Sequence, residues 1–281
     1  MEPVVVIAVL AAAVMHAGWN AILKVGLDRF LSISLMGFFM GFISLICLPF
    51  VAVPQGITWV WILASAALHT GYKLFLVRAY SAGDLSQVYP LARGTAPLIT
   101  ALAGFVLLGE RLSPLMVLGI VVLTTGIFVM SMRGGALLEK LDRVAVGYAL
   151  GTSLFIAGYT LTDGVGARSA VSASSYAAWM FVFDGFWMVA FCIMMRGVGS
   201  VRLLAAEWKT GIVIGALSLG AYWIVIWAMT RAPIAAIAAL RETSVLVALL
   251  ISVIVLKEKV TVWRIAAAIL IVAGVILLRS G

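Results

Sequence analysis

Charge is scarce in this chain. Of its 281 residues only 11% are Asp, Glu, Lys or Arg, while 64% are hydrophobic and the mean hydropathy is +1.20. A soluble globule carries about 25% charged residues, so that class is excluded. Cysteine is almost absent. Cys47 and Cys192 both fall within apolar runs, where lone thiols behave as small hydrophobes, so they indicate neither a disulfide framework nor a thiolate metal site. The two histidines, His16 and His69, are not at metal-ligand spacing, and there is no Walker-type glycine loop and no Gly-x-Ser-x-Gly turn. Nothing in the motifs indicates an enzyme, a metal or a cofactor. The start, Met1-Glu2-Pro3, lacks the basic n-region of a signal peptide, so the first apolar segment is expected to be a retained helix.

Basic residues outnumber acidic ones, giving a net charge of +8, but they stand singly at the ends of apolar segments. That is the pattern of membrane loops rather than of a nucleic-acid surface. Crossing a bilayer takes roughly 20 apolar residues. Reading the apolar runs between charge and Gly/Pro punctuation predicts an all-α membrane protein with ten transmembrane helices: 3–24, 31–53, 58–81, 86–108, 112–132, 144–165, 171–195, 209–231, 233–256 and 261–278.

The halves echo each other. Adding 148 carries Arg93 to Arg241, Thr95 to Thr243, Leu98 to Leu246, Leu108 to Leu256, Glu110 to Glu258 and Gly126 to Gly274. At the front of each half, Ala17-Gly18-Trp19-Asn20 resembles Ala157-Gly158-Tyr159-Thr160 at an offset of 140. The predicted units are 1–132 and 144–281, joined by a linker at 133–143. Five helices per unit is an odd number, so the second copy enters the membrane from the opposite side: an inverted repeat, in which a midplane site can open to either face in turn. By parity most loop Lys and Arg lie opposite the termini, which by the positive-inside rule favours termini outside.

A charge near the bilayer centre costs about 2.5–3.5 kcal/mol on insertion scales, so each one needs a partner or a task. Arg93 falls about four residues from the middle of its predicted helix, roughly 6 Å from the midplane, and Arg241 falls nearer. Arginine stays protonated and offers a planar fork to a carboxylate or phosphate. Two at matched positions point to an anionic group on a substrate. The alternative is that Asp184 and Glu242 neutralise them as structural ion pairs. Pro90 and Pro97 are expected to interrupt the backbone hydrogen bonds around Arg93, with Gly94 permitting close approach.

His69 and Lys73, four residues apart with Tyr72 beside them, share a helix face. Lys73 can support the anion site or extend toward the interface. Trp19, Asn20, Tyr72, Thr95, Tyr159 and Thr243 are candidates to shape a cavity. Glu242, Asp184, His69 and His16 are candidates to carry a proton, although for the histidines a helix-to-helix hydrogen bond is the plainer reading. Glu110-Arg111 and Glu258-Lys259 are expected to be interfacial anchors and turn determinants.

The pattern Pro-Leu-x-Arg-Gly-x-x-Pro through Leu-Gly-Glu-Arg-Leu, followed by Arg-Glu-Thr-Ser through Leu-Lys-Glu-Lys-Val, resembles the paired EamA domains of the drug/metabolite transporter superfamily. His16-Ala17-Gly18-Trp19-Asn20-Ala21-Ile22-Leu23-Lys24 is similar to the first helix of many members. The resemblance implies ten helices as two inverted five-helix repeats around a central cavity, with termini in the cytoplasm. It further implies transport of small metabolites without ATP; joined to the two matched arginines, it leads to the expectation of a secondary transporter exporting a small anionic or zwitterionic metabolite by alternating access from a bacterial inner membrane, with protons as possible partners. A cationic-drug exporter and a non-transporting receptor or scaffold are the alternatives. In phosphate-carrying relatives, basic residues on the fourth and ninth helices bind the anion, and Arg93 and Arg241 fall on those helices. Small multidrug members use a first-helix glutamate for proton coupling, where this chain has His16.

Overall fold

The computed structural model describes residues 1–22, 29–82, 85–131, 143–255, 257 and 260–281, the side chains of residues 29, 80, 82, 85–90, 131 and 255 aside. Residues 133–142 of the predicted linker at 133–143, Lys24 and Glu258-Lys259 lie outside the described residues, as do the side chains of Tyr89 and Pro90; Arg143, the last linker residue, opens a helix.

All regular structure among them is helical. The first half contributes α1 (Pro3–Ile22), α2 (Arg29–Cys47), a 3-10 turn (Leu48–Phe50), α3 (Thr58–Ala82), α4 (Leu85–Leu108) and α5 (Pro114–Ser131). The second contributes α6 (Arg143–Ser169), α7 (Ala173–Arg196), a short α8 (Ser200–Ala206), α9 (Trp208–Met229), α10 (Ile234–Arg241), α11 (Ser244–Val255) and α12 (Val262–Ser280). By length and composition nine segments among the described residues can cross a membrane, Ile234–Ile254 counting as one, and Pro114–Met130 is a shorter apolar helix. Phe105, Leu107, Ile254 and Val262 are each more than 60% exposed. Apolar surface on that scale belongs against lipid.

Helix starts follow local chemistry. The Ser172 hydroxyl accepts the Ser175 N–H at 3.1 Å to open α7, and Ser113 does the same for Met116, also at 3.1 Å, where Pro114 begins α5.

Packing between the halves is reciprocal. α5 lies on α12 and α2 on α7, while the contacts of α3 with α6 and of α1 with α9 interchange when the two units are swapped. Without a hydrophobic drive between helices in lipid, such crossings need small residues. A Cβ on Gly185 of α7 would stand 2.8 Å from the Gly41 Cα of α2, and one on Gly274 of α12 only 2.7 Å from the Leu123 N of α5. Each of the five buried apolar clusters draws residues from both halves.

α4 is continuous through Arg93 and Pro97, although Pro97, having no N–H, cannot close the helical bond to the Arg93 carbonyl. In the second copy the corresponding helix is broken outright. There Glu242 and Thr243 form a tight turn, with the Thr243 N–H and hydroxyl both donating to the Leu240 carbonyl at 3.1 and 2.8 Å.

Candidate functional site

Among the described residues, seven acidic, basic or histidine side chains are buried at the helix interfaces: His69, Lys73, Arg93, Asp163, Asp184, Arg241 and Glu242. They sort into three groups.

In the first, the helix break brings Arg241 and Glu242 into the interior together. Consecutive residues of an intact α-helix diverge by about 100°, yet here both are buried, at 3% and 0% exposure. The Arg93 Nε donates to Glu242 Oε2 at 2.9 Å, while Arg241 Nη2 stands 3.6 Å from the other oxygen, Oε1. One carboxylate thus answers two guanidiniums. The Arg241 guanidinium lies over the rings of Tyr159 and Tyr222, 5.9 and 5.6 Å from their centroids, within cation-π range. Its Nε finds no hydrogen-bond partner among the described residues, nor do the buried Trp19 Nε1 and Thr160 Oγ1.

In the second, Lys73 Nζ donates to both oxygens of Asp184, at 2.6 and 2.7 Å. Lys73 is 4% exposed and points at α7 rather than toward an interface.

The third is built around Asp163 of α6. Its Oδ1 accepts the hydroxyls of Ser65 and, at 2.9 Å, Tyr176; its Oδ2 accepts Tyr222 at 2.6 Å and stands 3.2 Å from His69 Nε2. The His69 ring stacks on Tyr159, centroids 4.0 Å apart, and meets Tyr222 edge-on at 5.2 Å. Two aromatic side chains therefore join the third group to the first.

The remaining sequence candidates arrange around these. Tyr72 meets Tyr159 edge-on at 5.6 Å. Trp19 packs on His16, with ring centroids 4.9 Å apart. Asn20 is turned inward on its own helix, donating to the His16 carbonyl at 2.8 Å. Thr95 donates to the Leu91 carbonyl at 2.7 Å and touches the Ser153 hydroxyl at 2.5 Å. Thr243 is spent within the turn.

Sequence reasoning passed over Asp163, Tyr222, Tyr176 and Ser65. The signal available was spacing: Ser65, His69 and Lys73 stand four apart along α3, as do Tyr159 and Asp163 on α6, so each set lines one face. No group of three or more potential metal ligands clusters among the described residues.

Toward the face that carries the termini, Gly109 leaves α4 with φ +62° and turns Glu110 toward the second half. The Glu110 carboxylate accepts the backbone N–H groups of Ile234 at 2.9 Å and Ala235 at 3.4 Å, capping α10, and takes Arg168 Nη2 at 3.0 Å. Arg168 also donates to the carbonyls of Met229 and Ala232, both at 2.9 Å.

The EamA-like transporter family model matches residues 4–132 and 143–280. No curated protein matches the chain. A solved structure described only as a crystal structure of a protein superposes with a TM-score of 0.78 over 99% of this chain and 96% of its own, at 20% identity, a likeness of fold alone. The chain belongs to the EamA-like transporter family and is a membrane transporter of the drug/metabolite transporter superfamily.

Proposed function

We propose that the protein is a secondary transporter for a small anionic or zwitterionic metabolite, and that Arg241, assisted by Arg93, holds the anionic group. One observation carries this reading. Arg241 is buried at 3% exposure, the Glu242 carboxylate that stands 3.6 Å away is already bonded to Arg93, and its Nε has no hydrogen-bond partner among the described residues. A guanidinium held so loosely in a buried setting is ready to take a bidentate carboxylate or phosphonate in place of Glu242. The aromatic faces of Tyr159 and Tyr222 keep it desolvated and oriented. Lys73 is engaged by Asp184, so it contributes charge to the surroundings rather than a free donor.

Cationic cargo finds less support, since among the described residues each buried carboxylate already has a basic side chain against it: Lys73 on Asp184, Arg93 on Glu242, His69 on Asp163. The outward direction of transport rests on the family resemblance.

The test is a thermal-shift panel on the purified chain with lactate, inorganic phosphate, methylphosphonate, amino acids and cationic drugs. A ligand that binds only the folded state raises apparent stability by mass action. Stabilisation by an anionic class, lost in Arg241→Ala protein that still elutes as a folded species, supports the reading. Stabilisation by cationic drugs alone sinks it.

A further inference from the structure

The helix that ends in Arg241 cannot cap itself. Pro233 stands at the N-cap position of α10 and has no side-chain acceptor to offer, so the first amides of the helix need a partner from elsewhere. The partner comes from the other half. After Gly109 the chain folds back on α4, the Glu110 N–H donating to the Gly104 carbonyl at 3.0 Å, and this return delivers the Glu110 carboxylate to the amides of Ile234 and Ala235.

The inner end of α10 is tied to the same helix. Arg241 closes α10, Glu242 follows it, and Glu242 is bonded to Arg93 of α4 at 2.9 Å. A wholly buried rod of eight residues, about 12 Å long, is therefore clamped to α4 and its return loop at both ends. Turns on either side, at 230–232 and 242–243, make it a rigid element separate from α9 and α11.

Three further ties join the halves on the face that carries the termini. Thr58 donates to the Ser169 carbonyl at 3.3 Å, Ser175 to the Ala52 carbonyl at 2.5 Å and the Met1 amino group to the Arg279 carbonyl at 3.3 Å. The tie at Glu110 differs from these in two ways: it includes an ion pair, to Arg168, and it holds the helix that presents Arg241.

We propose that Glu110 and Arg168 form the gate of the face that carries the termini, and that α10 works it: an anion on Arg241 and Arg93 frees Glu242, opens the inner clamp and thereby loosens the outer one. This rests on the anion reading of Arg241 and goes beyond it by naming the residues that open that face. The sign follows from the geometry. Each clamp holds the rod where the other can close, so loss of either makes the other easier to break. Linkage makes the effect mutual, and release of Glu110 favours the anion to the same extent. The gate is also the cheaper clamp to open. Arg168 is 39% exposed, so water replaces the partner it loses, whereas Arg93 and Glu242 are 3% and 1% exposed and need an anion in exchange.

The experiment measures the distance across the gate by electron spin resonance. Spin labels are placed at Arg111→Cys and Arg231→Cys, two exposed positions on either side of it, in full-length protein in nanodiscs with Cys47 and Cys192 replaced by alanine. The expected result is one short distance in the parent protein and a second, longer one in Glu110→Gln; if that variant does not fold, Arg168→Gln serves. The decisive variant is Glu242→Ala, or Arg93→Gln where the first does not fold, which is expected to populate the same longer distance from the far end of α10. A parent-like distance in the inner-clamp variant would reduce Glu110 to a structural cap and overturn the proposal, as would an unchanged distance in the gate variant. In the parent protein, whichever of lactate, inorganic phosphate and methylphosphonate stabilises the chain is expected to shift the population toward the longer distance. A panel in which no anion stabilises the chain overturns the anion reading separately, because the variant distances require no ligand.

Discussion

The Glu110 carboxylate takes the Arg168 guanidinium and the Ile234 N–H on one and the same oxygen, at 3.0 and 2.9 Å. A loop of the first half thereby caps a helix of the second, where the helix dipole favours negative charge. Glu110→Ala is expected to lower stability by about 1–2 kcal/mol, the usual range for a lost cap. Thermal unfolding of the variant measures it, and an unchanged midpoint would show that the contact is ornamental.

The left-handed position after α4 recurs 148 residues later, but there Lys257, at φ +53°, does what Gly109 does at +62°. A side chain in that conformation costs about 1 kcal/mol. Lys257→Gly is expected to stabilise the protein by that amount. A decrease in stability would mean that the lysine side chain contributes more than its backbone strain removes.

Breaking one partner of the Lys73–Asp184 pair leaves a buried charge uncompensated, a loss of about 3–5 kcal/mol. Lys73→Met and Asp184→Leu are each expected to unfold readily, whereas the double variant recovers most of the loss. A double-mutant cycle on thermal stability decides it, and additive single effects would refute the pairing.

Glu242 competes with substrate for Arg241 if the anion reading holds. Glu242→Gln is then expected to bind the stabilising anions at least tenfold more tightly, about 1.4 kcal/mol. Isothermal titration checks this; weaker binding would make Glu242 part of the substrate's own contact set.

At the α2–α7 crossing, Gly185→Val drives a side chain into the backbone of Gly41 and the Gly37 carbonyl, 2.8 and 2.9 Å from the new Cβ. A cost of about 1–3 kcal/mol or more follows. Gly147, with nothing within 4 Å, is the control, and Gly147→Ala is expected to be harmless. Gel-filtration profiles of the two variants should differ sharply.

Much of the architecture was legible because the membrane enforces long apolar runs and duplication repeats them. Arg93 and Arg241 stood out as charges inside such runs, and the two proved to meet at Glu242. Asp163 did not stand out. Its run was read as ending at Val165, which puts an acid at the membrane boundary, where acids are ordinary; α6 continues to Ser169 and leaves it wholly buried. The turn at Glu242-Thr243 went unread because no proline or glycine stands there to mark it. Partners were beyond sequence altogether: nothing along the chain announces that Asp184 answers Lys73, 111 residues away.

Because every apolar cluster straddles the two copies, neither half owns a core of its own. Fragments 1–131 and 143–281, synthesised as separate polypeptides, should therefore be unstable alone yet assemble with each other in the same membrane. The chain is in this sense a dimer written as one gene product, and continuity of the backbone supplies local concentration rather than the fold itself.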